Sequence, residues 1–571
     1  MTDFIKTQNS FSHGEVAPEF YSYDNINGLS HLENMDVLSG GGLTRRAGLK
    51  CVAQLKSQAR IISFSVSNNE EYIIALTNKH MYIYRDNVHV QDIITPWQYE
   101  DLSNLQFAQR FGTMIFVHPN YRPNVLKKTG TIFELSDFVF SRNDSDMTMN
   151  IPFVKFDDAS DVRITVTKND AGNNFATFTT NKNFWKPENV DGRLYVLNRQ
   201  WLVTQYIDSK TIVAYTNGSY TTPDAAVLDW YEAAFSARRG WPCSITFHQD
   251  RLVFGGSRDW PGGIWMSCVG IHNNFNAGTG LDDEAIFVSL LSQQRQQICT
   301  VVSSDNLQIL TNVGEWAISS KPLTPSTVDI KQHTSVGSVS SCYLPPQKIE
   351  GSTVFISKNG RDIRELCLDE LGEKYNANDL CAFAKHLMNS PVDIAYNDAT
   401  KQLFVVLADG TMAVLNQNAA LGISAWGRYV TSGQFRSVAV SGGNTYIVVT
   451  RDNINYLECF DIKCMSDVDK YDISFIASSL PLRVSHHNAR SIKLRKIVAR
   501  LLHSKSIYIN NHRLTLPNEI YSPESDGFTG DISMNLLGTS HDAIAPIWTI
   551  HGNEPYPLTV LSISIHGTYN I

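Results

Sequence analysis

Long apolar runs are missing from this sequence: no window approaches the roughly 18 to 20 consecutive apolar residues that a bilayer-crossing helix needs. The opening MTDFIKTQNSFSHGEV has no basic end followed by an apolar stretch, so no secretory signal is expected. Charge is scarce, at 18% of 571 residues, and the balance is acidic, with 48 Lys and Arg against 56 Asp and Glu. A formal net charge of -8 argues against a global basic field that would draw in nucleic acid or anionic membrane. A low charge fraction also suits surfaces that face other subunits. CxxC pairs are lacking: Cys51, Cys243, Cys268, Cys299, Cys342, Cys367, Cys381, Cys459 and Cys464 are scattered and odd in number. Reduced, mostly buried thiols of a chain made in a cytosol are expected.

The usual catalytic strings are also lacking. LSGGGLTRRAGLKCV at 38–52 has the glycines of a phosphate loop but neither the Lys-Ser/Thr step nor a following helix pattern, so it is not expected to hold a nucleotide. No GxSxG elbow and no HExxH helix occurs. The adjacent His486 and His487 would point to opposite faces of a strand, which disfavours a shared metal. Two acidic runs remain as candidates for glycoside cleavage: Asp157, Asp158 and Asp161 in KFDDASD, and Asp282, Asp283 and Glu284 in LDDEAIF. Neither has the spacing of a calcium loop, and ordinary loop acidity accounts for both. No catalytic, cofactor-binding or metal-binding residue is assigned.

What is present is β-structure. Helical periodicity is nearly absent, whereas short runs of Val, Ile, Phe and Tyr recur between Asn, Asp and Gly. A strand, a tight polar turn and a second strand are legible in YIIALTNKHMYIY from Tyr72, IFVHPNYRPNVL from Ile115 and ITFHQDRLVFGG from Ile245. The same pattern returns in LQILTNVGEWAI from Leu307, VFISKNGRDIREL from Val354, LFVVLADGTMAVL from Leu403 and TYIVVTRDNINYLECF from Thr445. Asn359-Gly360 and Asp409-Gly410 are expected to supply the positive φ angles of two-residue turns. Apart from one long gap, the hairpins start about 40 to 60 residues apart, an interval that suits four-stranded propeller blades.

The fold expected is therefore all-β: a β-propeller of about six to eight blades with an inserted β domain and a C-terminal β-rich domain. A string of β-sandwiches is the competing reading. The expected order is an N-terminal arm and entry to the propeller at 1–58, a first propeller part at 59–134 and the insertion at 135–240. A second propeller part follows at 241–468 and the C-terminal domain at 469–571. Trp241, Trp265, Trp316 and Trp426 are expected to pack between blades. The basic stretch RSIKLRKIVARLL places Lys493 and Arg495 on one strand face opposite Ile492 and Leu494, with Arg490, Lys496 and Arg500 nearby. It suits a subunit contact with acids on a neighbour or a channel lining near DNA phosphates.

Taken in order, several strings resemble one family. NSFSHGEVAPEF at 9–20, then LSGGGLTRRAGLKCV, resemble the N-terminal signature of tail proteins from short-tailed bacteriophages: Gly-Glu-x-x-Pro, a glycine stretch, an arginine pair and a glycine. LQFAQRFGTMIFVHPNYRPNVLKKTG, AAFSARRGWPCSITFHQDRLVFGGS, LQILTNVGEWAISS, GRDIREL and AWGRYVTSGQFRSVAV resemble later parts of the same pattern. The likeness spans about residues 9 to 460 and points to the tail nozzle, or tail tubular protein B, class. It implies a homohexameric ring at the distal end of a short tail, in the virion after synthesis in the host cytoplasm. The ring would be joined to the tail adaptor and to fibres or spikes, and would retain and then conduct double-stranded DNA. On that reading Gly40, Gly41, Gly42, Arg45, Arg46 and Gly48 form an assembly element tied to carboxylates of the same or an adjacent chain. A receptor-binding or glycan-cleaving tail component is the alternative, and a cellular propeller interaction module ranks last.

Overall fold

The structure, a computed structural model, describes residues 2–21, 26–67, 69–143, 148–169, 172, 174–291, 296–339, 344–369, 371–372, 374–481, 491–517, 525–541 and 545–570. These residues form strands joined by tight turns, with a few single turns of 3-10 helix. The chain is a β-propeller, and seven four-stranded sets are found among the described residues. It divides into two compact units, one of 1–99, 347–366 and 378–571 and the other of 100–346 and 367–377.

In the first unit, blade 1 is Arg60–Ser67, Glu70–Thr77, His80–Arg85 and Val88–Ile94. Blade 6 is Pro391–Asn397, Gln402–Leu407, Met412–Asn418 and Ile423–Tyr429. Blade 7 is Gln434–Ser441, Asn444–Arg451 and Ile454–Asp461, and its fourth strand is Gly48–Leu55 from the start of the chain. That strand had been expected to lead into the first blade; instead it pairs antiparallel with Ile454–Asp461 and completes the last. In the second unit, blade 2 runs over 106–137, blade 3 over 242–289 and blade 4 over 298–334. Blade 5 comprises Gln347–Ile349, Ser352–Ile356, Ile363–Leu368 and Tyr375–Asp379.

Central strands such as Arg251–Ser257 and Leu307–Thr311 are buried throughout, because sheets cover both of their faces. Trp265, Trp316 and Trp426 are buried as expected, and Trp241 is half-buried. A serine or aspartate on the first strand of several blades reaches the next blade. Ser244 Oγ accepts from the Val301 N–H at 2.8 Å, Asp393 Oδ2 from the Val438 N–H at 2.9 Å and Ser437 Oγ from the Ile61 N–H at 3.0 Å. Asp393 and Ser437 each follow a β-bulge, which turns the side chain toward the neighbouring sheet. Burial pushes the Asp393 carboxyl up to about 6, against the pull of Arg60.

The turns depart from expectation. At Asn359-Gly360 and Asp409-Gly410 only the glycines have positive φ, 68° and 87°. Asp409 instead accepts from the Thr411 N–H at 2.8 Å, building a wider turn. Paired left-handed residues occur at Asp86-Asn87, Gln249-Asp250 and Asp452-Asn453, where short polar side chains tolerate that region.

The N-terminal arm and the C-terminal domain, expected as separate, are one body within the first unit. Thr2–Gln8 pairs along Thr559–Asn570, which also pairs with Ser491–Ser504 and Leu43–Arg45. Gly28–Glu33 pairs with Phe475–Ser479, and that sheet continues into blade 6 through Gly14–Glu15. One core joins Phe11, Leu32 and Leu43 from the N-terminal segment to Leu494, Trp548 and Ile563 from the C-terminal one.

The insertion is a seven-stranded antiparallel sheet ordered Phe153–Val154, Trp230–Ala233, Arg193–Val196, Arg199–Asp208, Thr211–Tyr215, Phe175–Thr180, Ile164–Lys168. Trp185, Trp201, Trp230 and Phe178 fill its core. It begins later than expected, because Ile132–Asp137 is the outer strand of blade 2.

Candidate functional site

The signature segments converge on buried charge in the first unit. Glu15, 1% exposed, accepts from the Leu32 N–H at 2.8 Å, from His386 Nε2 at 2.9 Å and from Arg428. Burial alone would raise its carboxyl; the hydrogen bonds from His386, Arg428 and the Leu32 N–H outweigh it and hold the group below the usual range. One side chain thus fixes the Gly-Glu-x-x-Pro element to blade 6 and to the strand that follows it.

The glycine stretch makes a turn. Gly41 has φ 84°, its N–H donates to Leu38 O, and its carbonyl accepts from the Phe11 N–H, both at 2.8 Å. Gly42 is buried beside Val560, and Gly40 is exposed with open space around it. Gly48 is required by close approach: a Cβ there would lie 2.3 Å from Ser466 O.

Arg46, 1% exposed, donates in bidentate fashion to Asp467 at 2.8 and 3.0 Å, and its Nε donates to Asn34 Oδ1 at 2.8 Å. It also lies against the rings of Tyr429 and Phe460. Arg45 has no carboxylate in its direct bonds. Its guanidinium donates to the main-chain carbonyls of Met465, Ile473, Glu554 and Tyr556. Burial, then the adjacent Arg46, pulls it down to about 10, still protonated at neutral pH. Expected as ties to carboxylates of the same or an adjacent chain, both arginines bond within their own chain, Arg46 to the Asp467 carboxylate and Arg45 to main-chain carbonyls. The wider cluster adds Arg451, whose bonds to Glu458 are both 2.9 Å. Asp467, Arg451 and Glu458 escaped the sequence reading because each lies in an ordinary-looking hairpin.

The basic strand finds acids on its own chain: Arg495 pairs with Asp3 at 3.2 Å and Arg500 with Asp531 at 2.7 Å. Both are exposed, so neither pair contributes much. Lys493 and Arg495 are exposed and Leu494 is buried, as the alternation predicts; a register shift at Arg495 then leaves Lys496 half-buried and returns Ile497 to the core. Arg490, His486 and His487 lie outside the described residues.

A second arginine pair, Arg238-Arg239, stands where blade 3 begins. Arg239 donates in bidentate fashion to Asp158 at 2.9 and 3.1 Å and also to Glu232, which is 4% exposed. Arg238 donates to Phe184 O and Asn189 Oδ1, both at 2.7 Å, and lies 4.0 Å from the Phe184 ring centre. Asp158, a candidate acid, is therefore already paired. Asp161 pairs with Lys182. Glu284 accepts from the N–H groups of Thr279, Gly280 and Leu281, which hold it below the usual carboxylate range. Each of these carboxylates is committed to holding the chain. Eight cysteines are described, none of them in a disulfide among the described residues, and four are buried. No cluster of metal-ligating residues occurs among the described residues, and no helix there is long and apolar enough to cross a membrane.

Four-stranded sets closed by a strand from the other end of the chain define a β-propeller. No family model matches the chain, and no curated protein does. Among solved structures it is similar to the WD40 repeats of RRP9, at 7% identity and TM-score 0.38 over 73% of this chain and 99% of that one. It is also similar to the C-terminal WD40 domain of Sif2, at 10% identity and TM-score 0.34 over 73% and 99%. A third is the Cps50 (Swd1) β-propeller domain of Myceliophteria thermophila, at 7% identity and TM-score 0.36 over 72% and 99%. The likeness is one of fold.

Proposed function

We propose that this chain is a structural virion protein, the nozzle subunit of a short phage tail, assembling as a hexameric ring that continues the DNA channel and docks fibres. The ordered resemblance of the sequence motifs supports the family. The observation that carries the ring is the outer edge of blade 1, where Val88–Ile94 leaves Val88 64%, Val90 42% and Ile94 77% exposed on a strand with no outer partner among the described residues. Lone monomers avoid such apolar edges, and a neighbouring subunit would cover this one. The acidic balance suits a conduit, since each retained phosphate contact would slow passage of DNA.

Changing Val88, Val90 and Ile94 together to Thr is expected to leave the fold intact and to abolish ring formation in negative-stain micrographs. Rings that survive the triple change would remove this edge from the interface. Purified protein is expected to retard duplex DNA only weakly at physiological salt; tight, steeply salt-dependent binding would contradict an inert conduit.

A further inference from the structure

A cleft of about 910 Å³ opens within the second unit, between the inserted sheet and the Asn276–Phe287 side of blade 3. Strand alternation decides what faces it. Along Arg193–Val196, Leu194 and Val196 are buried in the insertion's core, so Arg193 and Tyr195 share the opposite face. Tyr231 stands directly across from Tyr195 in the register, with its neighbour Trp230 in the core. Phe153 packs on Tyr195 with ring centres 5.6 Å apart, and the Tyr195 and Tyr231 centres are 6.5 Å apart. A sheet face left to water would ordinarily carry short polar residues; this one carries a row of aromatic rings ending at a guanidinium.

Arg193 is half-buried with Arg142 beside it in the cleft lining. Burial, then the positive charge of Arg142, pulls the Arg193 guanidinium below the usual arginine range. Two like charges brought together at a concave surface are relieved by an anion between them. Asn150, whose Nδ2 donates to Ser141 Oγ at 2.9 Å, and Asn217 add polar groups to the same lining.

We propose that this cleft binds a short acidic saccharide of two or three rings, its carboxylate between Arg193 and Arg142 and its pyranose faces on Phe153, Tyr195 and Tyr231. Its size is that of a small-ligand site. A single-stranded nucleic acid would also use arginine and stacked rings, but it needs phosphate contacts spaced along an open groove. Here the cleft holds about 910 Å³, is lined by Arg142, Arg193 and Arg199, and belongs to a net acidic chain. The site stands independently of the tail reading.

The test is calorimetric titration of the full chain with trigalacturonate, sialyllactose and a hyaluronan tetrasaccharide, against maltotriose and a dT10 oligonucleotide. At least one acidic saccharide is expected to bind about tenfold or more tightly than maltotriose and dT10, and to lose about tenfold or more in Arg193→Gln. Arg142→Gln is the companion variant, since its side chain is exposed and its loss leaves packing intact; it is expected to weaken the same saccharide while circular dichroism and Tm stay unchanged. The proposal is overturned if no acidic saccharide saturates below about 10 mM, if dT10 binds more tightly than all three, or if both variants bind like the parent chain.

Discussion

Arg45-Arg46 in the first unit and Arg238-Arg239 in the second are the same dipeptide, each beside a glycine near the start of a propeller segment, yet different chemistry holds them. Arg239 is neutralised by two carboxylates, Glu232, which lies 7 residues away in sequence, and Asp158, which lies 81 away. Arg45 is held by four main-chain carbonyls from the C-terminal body, and only Arg46 has an acid, Asp467. A carboxylate clamp couples tightly to protonation and to its partner residue. A carbonyl clamp couples instead to the position of the chain segments that supply it.

The largest effect is expected at the carboxylate station. Arg239→Ala leaves Glu232 charged and buried, and should cost about 3 to 5 kcal/mol in denaturant unfolding. Adding Glu232→Gln should restore part of that loss; a double change as damaging as the sum of the single ones would break the carboxylate account. Arg46→Ala comes next, at about 3 kcal/mol, because the buried Asp467 loses its bidentate partner and keeps only the Thr431 hydroxyl at 2.7 Å and Arg451 at 4.0 Å. With both side chains internal, the Arg45 and Arg46 double alanine should unfold the first unit, seen as lost protection in hydrogen exchange. Arg45→Met should cost about 1 to 3 kcal/mol, the loss of hydrogen bonds to neutral acceptors.

Acid separates the two stations most finely. Burial would raise the Asp158 carboxyl, but Arg239 and Arg238 hold it below its ordinary 3.8. Its stabilising share is therefore present above that value and is lost as pH falls through the folded-state one. The carbonyls around Arg45 do not titrate. Hydrogen exchange near Arg239 should accelerate before that near Arg45 as pH drops below about 4; simultaneous loss would mean that the two stations do not differ in this respect.

The same contrast explains what could be read from the chain alone. Each of the seven hairpins quoted from sequence falls in a different blade, because alternation and polar turns are local signals. The pairing of Gly48–Leu55 with Ile454–Asp461, and of Thr2–Gln8 with Thr559–Asn570, joins opposite ends of the chain and leaves no local trace. Arg46 meets a carboxylate, as its pattern suggested, whereas the acceptors of Arg45 could not be read, since carbonyl acceptors have no residue signature. The bulge at Arg495 was invisible for a similar reason: the apolar pattern of RSIKLRKIVARLL reads as an unbroken strand. The cleft was missed because its aromatic and arginine residues come from strands far apart in sequence.

The proposed nozzle role is tested most directly by an electron cryomicroscopy reconstruction of virions whose genome encodes this chain. The account predicts six copies in a ring at the distal end of the tail, with the Val88–Ile94 edge of each subunit covered by its neighbour. Absence of the chain from the particle, or its presence as an isolated appendage outside the channel axis, would contradict it.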